Sequence, residues 1–276
     1  MISELNHNEF YKCKTLINDE GHLEVKAIIE GNNRGRIFVD HTDSPTTGLI
    51  WLGNHDGFFF IGDEGNEEFN HDLNEFIDDV IFPEAKELGL KHFIAIGNHS
   101  GWDQTIERIF EQRPMNVSHQ SVYKLRKSQV KETNVPPIEK DYNVFQICRE
   151  LFENKSLTIE NIDFLHSKLL EFWSSPEDFF QKGIGYCVVH RKRIVSLCFS
   201  GFVAENTHAL DIETIETYQG NKLAQRAARS VVKDCLDKGM KPYWDCEEAN
   251  TPSNAIARKI GLENEFKYLV YIFPIE

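Results

Sequence analysis

Ile212-Glu213-Thr214-Ile215-Glu216-Thr217-Tyr218-Gln219-Gly220-Asn221-Lys222-Leu223-Ala224 is the stretch on which the reading of this chain turns. It begins as a strand and breaks at Gly220. From Lys222 it becomes helical, with Ala224, Ala227, Ala228, Val231 and Cys235 on one small-residue face. A strand, a tight turn and a helix start make an anion site, because the first-turn N–H groups lack intrahelical partners and the helix dipole favours negative charge. The expectation is a phosphate cradle.

Working outward, strands are expected over 185–189, 194–203 and 209–217, with a tight turn at Arg191-Lys192. Two amphipathic helices precede them, over 142–154 and 159–173, the second capped by Thr158. After the stretch come a helix over 222–238, a strand over 243–246, a helix over 253–260 and a strand over 268–273. The first half reads in the same order. Helices 8–17 and 23–30 precede strands 36–40, 47–52 and 58–61. A helix over 70–88, kinked or split by Pro83, leads to strand 92–96, helix 101–111 and strand 122–125. Glu87-Leu88-Gly89-Leu90-Lys91 also matches Asp237-Lys238-Gly239-Met240-Lys241, one repeat length later. Between the halves, 131–140 carries Pro136-Pro137 among charged residues and reads as a linker.

The net charge of −14 disfavours a nucleic-acid partner, which needs clustered Lys and Arg. No apolar run is long enough to span a bilayer, and the first nine residues are polar and acidic, so neither a signal peptide nor membrane insertion is expected. Six scattered cysteines without a C-x-x-C pair fit a reducing, cytoplasmic location.

Gln219-Gly220-Asn221-Lys222-Leu223-Ala224 resembles the Q/R-x-x-G-x-G/A pyrophosphate motif of the GNAT superfamily of N-acetyltransferases. Residues 250–262 look like that family's next signature, an Asn, a small residue three on, and a helix ending in K-x-G-F. Residues 183–273 are most similar to the subgroup of the zwittermicin A resistance acetyltransferase, through Ile212-Glu213-Thr214, Tyr218-Gln219 with Leu223-Ala224, Trp244-Asp245-Cys246, and Asn250 with Ser253.

The resemblance implies an α/β (α+β) fold of two tandem GNAT-like halves with mixed central sheets flanked by helices. The halves would be a degenerate N-terminal domain, 1–130, and a catalytic domain, 141–276. It implies acetyl-CoA as cofactor, with the pyrophosphate on the amides of Gln219, Gly220, Asn221, Lys222, Leu223 and Ala224. The main chains of Ile212 and Thr214 would meet the pantetheine arm and polarise the thioester carbonyl. A bulge would splay their strand from the next parallel one, and Asn250 with Ser253 would complete the cofactor site. Two departures stand out. Lys222 replaces the central glycine, which brings strain if its φ is positive and also supplies a point charge for phosphate. Ala257 replaces the tyrosine that protonates the leaving thiolate.

Direct attack by an amine needs a base, and Asp211, Glu213 and Glu216 lie on or beside the central strand; Glu213 ranks first, between Ile212 and Thr214. As an outward or substrate-charge residue it would have no proton to take. His208 is expected in a polar, exposed loop. Tyr268 and Tyr271 are the nearest phenols for the acid, with aromatic packing as their competing role. Cys246 is expected as a buried small residue, and no histidine stretch has ligand spacing for a metal. The equivalent turn of the first half, 62–68, is acidic and would repel a pyrophosphate, so that half is expected to serve packing or lend a wall to the acceptor site. The leading expectation is acetyl transfer to a primary amine of a small molecule. A non-catalytic acyl-CoA-binding or regulatory protein is the alternative, and an aminoacyl-tRNA-dependent transferase a third reading that the acidic charge disfavours.

Overall fold

In the computed structural model of the protein, residues 1–18, 22–53, 57–125, 141–155 and 158–275 are described. The expected linker, residues 54–56 and residues 156–157 lie outside them. The first half opens with a short strand β1 (Ser3–Glu4) and a 3-10 helix (His7–Leu16), followed by α1 (Leu23–Ile29). Aromatic and β-branched runs then form β2 (Arg36–Val39), β3 (Thr47–Trp51) and β4 (Gly57–Gly62). The long helix is continuous rather than broken: α2 (Glu67–Phe76) passes through a π-helical turn, Ile77–Ile81, into α3 (Phe82–Glu87). There the Phe82 N–H reaches back to Ile77 O, so Pro83 enters just after the ladder has widened, and its missing N–H costs no regular helical bond. β5 (His92–Gly97), α4 (Gly101–Ile109) and β6 (Asn116–Lys124) complete the half.

The second half departs from expectation at its start. Residues expected as a helix form β7 (Tyr142–Gln146), antiparallel to the following strand, and only α5 (Arg149–Phe152) is helical. Tyr142, Phe145, Cys148 and Phe152 are spaced as on a helix, but the pairing of 142–146 with a distant strand decides their conformation. α6 (Ile162–Phe172) follows. Thr158 does not cap it, since it has φ +50° and the cap position is Asn161, whose side chain bonds both the N–H and the C=O of Ile194 at 2.8 Å. After α7 (Pro176–Lys182) come β8 (Gly185–His190), β9 (Arg193–Ala204), β10 (Thr207–Thr214), α8 (Leu223–Asp237), β11 (Lys241–Glu247), α9 (Thr251–Lys259) and β12 (Glu263–Pro274). Both halves therefore begin with a short strand that the sequence reading missed, and the repeat is kept.

The chain divides into two compact units, Ser121–Phe266 and Met1–Gln120 with Lys267–Glu276. The first unit has strand order β1-β2-β3-β4-β5-β12, and the second β7-β8-β9-β10-β11-β6. The strand pairing in each unit is thus mixed, with a parallel step at β4 to β5 or at β10 to β11, and each is completed by the last strand of the other half of the sequence. The core of the first unit is aromatic, Phe58, Phe60, Phe93, Phe110, Phe273 and Trp102 among others, packed under α2 to α4. That of the second unit packs Ala227, Ala228, Val231 and Cys235 of α8 against Val188, Val195, Cys198 and Trp244. No helix among the described residues is long and apolar enough to cross a membrane.

Candidate functional site

β10 and β11 pair in parallel only from Thr207/Lys241 to Ala209/Tyr243. At Ala209/Leu210 the register of β10 against β9 shifts, which is a bulge. Beyond it, Leu210 to Thr214 pair with β9 alone. The Ile215 N–H donates to Val195 O at 3.0 Å, so by the alternation of an antiparallel ladder Glu213 and Asp211 also bond β9. Ile212 and Thr214 then turn their main-chain groups toward the β11 side, where the ladder has stopped. Gln219 Nε2 donates to Thr214 O at 3.4 Å, and the other groups have no ladder partner on β11 among the described residues. The β10–β11 ladder therefore stops where the bulge stands.

The chain leaves β10 through a 3-10 turn, Glu216–Tyr218, and reaches α8 across an exposed loop held by Asn221, whose Nδ2 donates to Tyr218 O at 3.1 Å. Gly220 has φ +80° with open space about it. Lys222 has φ +60° and occupies the N-cap position, where its side chain accepts nothing. The first α8 bond is Arg226 N–H to Lys222 O at 3.3 Å, so the amides of Leu223, Ala224 and Gln225 have no intrahelical acceptor. Leu223, Ala227, Ala228 and Val231 are buried, which pins the helix while its uncapped end faces solvent.

On the opposite face of β10, Asp211 and Glu213 share a side with Lys168 and Glu171 of α6. Lys168 Nζ lies 3.3 Å from Glu171 and 3.8 Å from Glu213. Burial pushes the Asp211 carboxyl up to about 7; Lys168 opposes the rise, and Glu171 and Glu213 reinforce it. Burial works against the Lys168 charge too, but Glu171, Glu213 and Asp211 outweigh it and hold its pKa above the usual lysine value. Glu216 sits apart in the 3-10 turn, exposed.

His208 is a correction: it is 1% exposed within β10, 2.8 Å from Ser200 Oγ, and burial lowers its pKa to about 4. Tyr268 and Tyr271 belong to the first unit. The Tyr268 ring stands edge-on to His22 at 4.3 Å, and Tyr271 is buried in the aromatic core with its O–H donating to Glu107 at 3.3 Å. Burial and the nearby Asp103 and Glu107 raise the Tyr271 phenol further, which suits packing rather than proton donation. Cys246 is half-buried and its thiol is raised by burial, the opposite of an activated nucleophile.

Asn250 caps α9 through Oδ1, which accepts the Ser253 N–H at 3.1 Å; its Nδ2 has no partner among the described residues. Ser253 Oγ accepts Trp244 Nε1–H at 3.0 Å. Ala257 is fully buried in the core. Sequence reasoning missed Asn254, 4% exposed, whose Nδ2 donates to Glu247 O, Glu248 O and Asn250 O at 2.9, 3.3 and 2.7 Å. The one signal for it was an asparagine a helical turn inside a capped helix.

The corresponding place in the first unit is shut. β4 and β5 pair in parallel up to Phe60/Gly97, and the Asn98 N–H continues the ladder to Phe60 O at 2.9 Å. Asn66 caps α2 by accepting the Phe69 N–H at 3.1 Å, and Glu67 and Glu68 fill the first turn with negative charge.

A family model described as GNAT acetyltransferase matches residues 14–271. The uncharacterized N-acetyltransferase YdfB of Bacillus subtilis (strain 168) is 27% identical over 273 residues, 98% of each chain. A GCN5-related N-acetyltransferase-like protein from Streptococcus suis 89/1591 aligns with TM-score 0.69 at 21% identity, covering 96% of this chain and 98% of its own. A tandem GNAT protein from the clavulanic acid biosynthesis pathway aligns over 100% of this chain and 99% of its own, with TM-score 0.56 and 8% identity. Tandem architecture is thus shared with a solved structure.

Proposed function

The chain belongs to the GNAT acetyltransferase family, whose members use acetyl-CoA, and from that premise we propose that it transfers an acetyl group from acetyl-CoA to a primary amine of a small molecule. The observation that carries this reading is the coincidence, in the second unit, of a splayed β10–β11 pair with the uncapped N-terminus of α8. The residues fit the cofactor: main-chain groups of Ile212 and Thr214 that lack a ladder partner on β11 suit an amide-bearing arm, which would displace the Gln219 side chain from Thr214 O, and free amides from Gly220 to Ala224 suit a pyrophosphate. Gln219, Asn221 and Leu223 shape that turn, Lys222 adds a point charge, and Asn250 Nδ2 offers a donor from the far side. We read the first unit as a degenerate copy and the second as the catalytic one, working in the cytoplasm without nucleic-acid or membrane partners; six free cysteines support the location.

When bound, acetyl-CoA supplies the activated acetyl thioester. The N–H groups of β10 that face the splay stabilise developing negative charge on a carbonyl oxygen placed against them. Glu213, half exposed beside Lys168, takes the proton of the incoming ammonium, with Asp211 as the second carboxylate on the same face. Glu216, exposed in the turn that follows β10, adds charge that attracts a cation. Ala257 carries no acid, so the leaving thiolate takes its proton from water or from the Tyr268 phenol. The pattern shared with the zwittermicin A resistance subgroup makes an aminopolyol the first acceptor to test.

Thiol release from acetyl-CoA with a panel of amines tests the proposal. Glu213→Gln should lower kcat and leave CoA affinity unchanged; unchanged turnover removes Glu213 as the base. The second reading, a non-catalytic acyl-CoA-binding protein, draws on the strained Lys222 and on Ala257, and gains if acetyl-CoA binds but no amine releases thiol.

A further inference from the structure

Ala257 on the inner face of α9 is fully buried, and a phenol from elsewhere in the chain shares its core. Tyr123 of β6 is 1% exposed and shares the core of the second unit with Ala257, Trp244 and Leu262. Its O–H donates to Asn254 Oδ1 at 2.6 Å, and its oxygen accepts from Arg258 Nη2 at 3.1 Å. The Arg258 guanidinium also stands 5.8 Å from the Tyr123 ring centroid. Asn254 and Arg258 are four residues apart on α9, one on each side of Ala257 along the helix, so the hydroxyl is gripped from both directions.

The direction of this chain of hydrogen bonds is fixed. Arginine can only donate, so the Tyr123 oxygen accepts from it and the phenol proton is sent on to Asn254. Receiving a donor at Oδ1, Asn254 must present Nδ2 to Glu247 O, Glu248 O and Asn250 O. Those carbonyls close the turn from β11 into α9, where Asn250 caps the helix and the surrounding residues, 247–252, are exposed. With so little burial to hold it, the turn depends on hydrogen bonds.

We propose that Tyr123 is a positioning residue for the β11–α9 turn, acting through Asn254 to hold Asn250 where the acetyl-CoA site needs it. The inference rests on reading the β10–β11 splay as that site. It also gives the first half of the sequence a role in the second unit, because its last strand delivers Tyr123.

The test uses Tyr123→Phe in the full chain, which keeps the ring and removes the O–H. With folding checked by near-UV circular dichroism, KM for acetyl-CoA should rise about fivefold, the size of one net hydrogen bond. The kcat and the acceptor KM should stay within about twofold. Amide exchange at Asn250 and Ser253 should quicken without cofactor present. Asn254→Asp, which accepts from Tyr123 but cannot donate to the three carbonyls, should give the same pattern more strongly, and it serves if the phenylalanine variant does not fold. Unchanged exchange at Asn250 and Ser253 in a folded variant overturns the positioning role of Tyr123. Faster exchange with an unchanged KM overturns the link to acetyl-CoA. A wild-type protein that fails to bind acetyl-CoA removes the reading of the splay, while the exchange measurement still decides what Tyr123 does.

Discussion

Lys222 offers a perturbation in which stability and binding should move in opposite directions. Its φ of +60° costs a residue with a Cβ about 1–2 kcal/mol. Its charge at the positive end of α8 adds about 0.3–1 kcal/mol more. Lys222→Ala removes the charge alone. Lys222→Gly also removes the Cβ, but gives the unfolded chain extra freedom worth about 0.5–1 kcal/mol. The alanine variant should therefore be more stable by about 0.5 kcal/mol and the glycine variant by about 1 kcal/mol, measured by urea unfolding of the cofactor-free protein. If Lys222 meets a phosphate, both variants should bind CoA about fivefold more weakly, the loss of one solvent-exposed ion pair of about 1 kcal/mol. That difference should shrink at high salt. A glycine variant no more stable than the alanine variant refutes the strain argument. Wild-type CoA affinity in both at low salt refutes the phosphate contact.

Two further outcomes follow from titratable groups whose pKa values desolvation shifts. His208 has a pKa of about 4 when folded against an ordinary 6.5, so below pH 6.5 the unfolded chain binds a proton that the folded chain does not. Stability should fall as pH drops from about 6.5 to about 4, by up to about 3 kcal/mol, and His208→Asn should flatten that slope in urea unfolding measured across the range; an unaltered slope assigns it to other groups. Asp211, raised to about 7, must be deprotonated to assist Glu213, so kcat/KM should climb with pH through about 7 and Asp211→Asn should remove that limb. A wild-type profile that is flat between about pH 5.5 and 8 excludes it from the proton path.

The central strand and helix were legible because each carries its own local signal, alternation along β10 and buried Ala227, Ala228 and Val231 after Gly220, although the strand stops at Thr214 rather than at 217 and a 3-10 turn, Glu216–Tyr218, follows it. The bulge at Ala209/Leu210, where the β10–β11 ladder ends, was expected only through the family resemblance, since it is a property of pairing with β9 and not of the residues themselves. β7 was misread for the same reason, helical spacing of Tyr142, Phe145 and Cys148 being overruled by pairing with β8. His208 looked like a loop residue between polar neighbours, and only its strand placement buries it beside Ser200. Tyr268 was placed by sequence with the second half, but β12 from Lys267 onward completes the first unit's sheet. Tyr123 and Asn254 are 131 positions apart and carry no motif, so their hydrogen bond was beyond any local reading.

Amide hydrogen exchange with and without saturating CoA probes the proposed cradle residue by residue. Binding as described should slow exchange at Ile212, Thr214 and the amides from Gly220 to Ala224, and leave Gly62 and Glu67 to Phe69 of the first unit unchanged. Protection confined to the first unit, or none at millimolar CoA, would show that the β10–β11 splay is not where this chain holds its acyl donor.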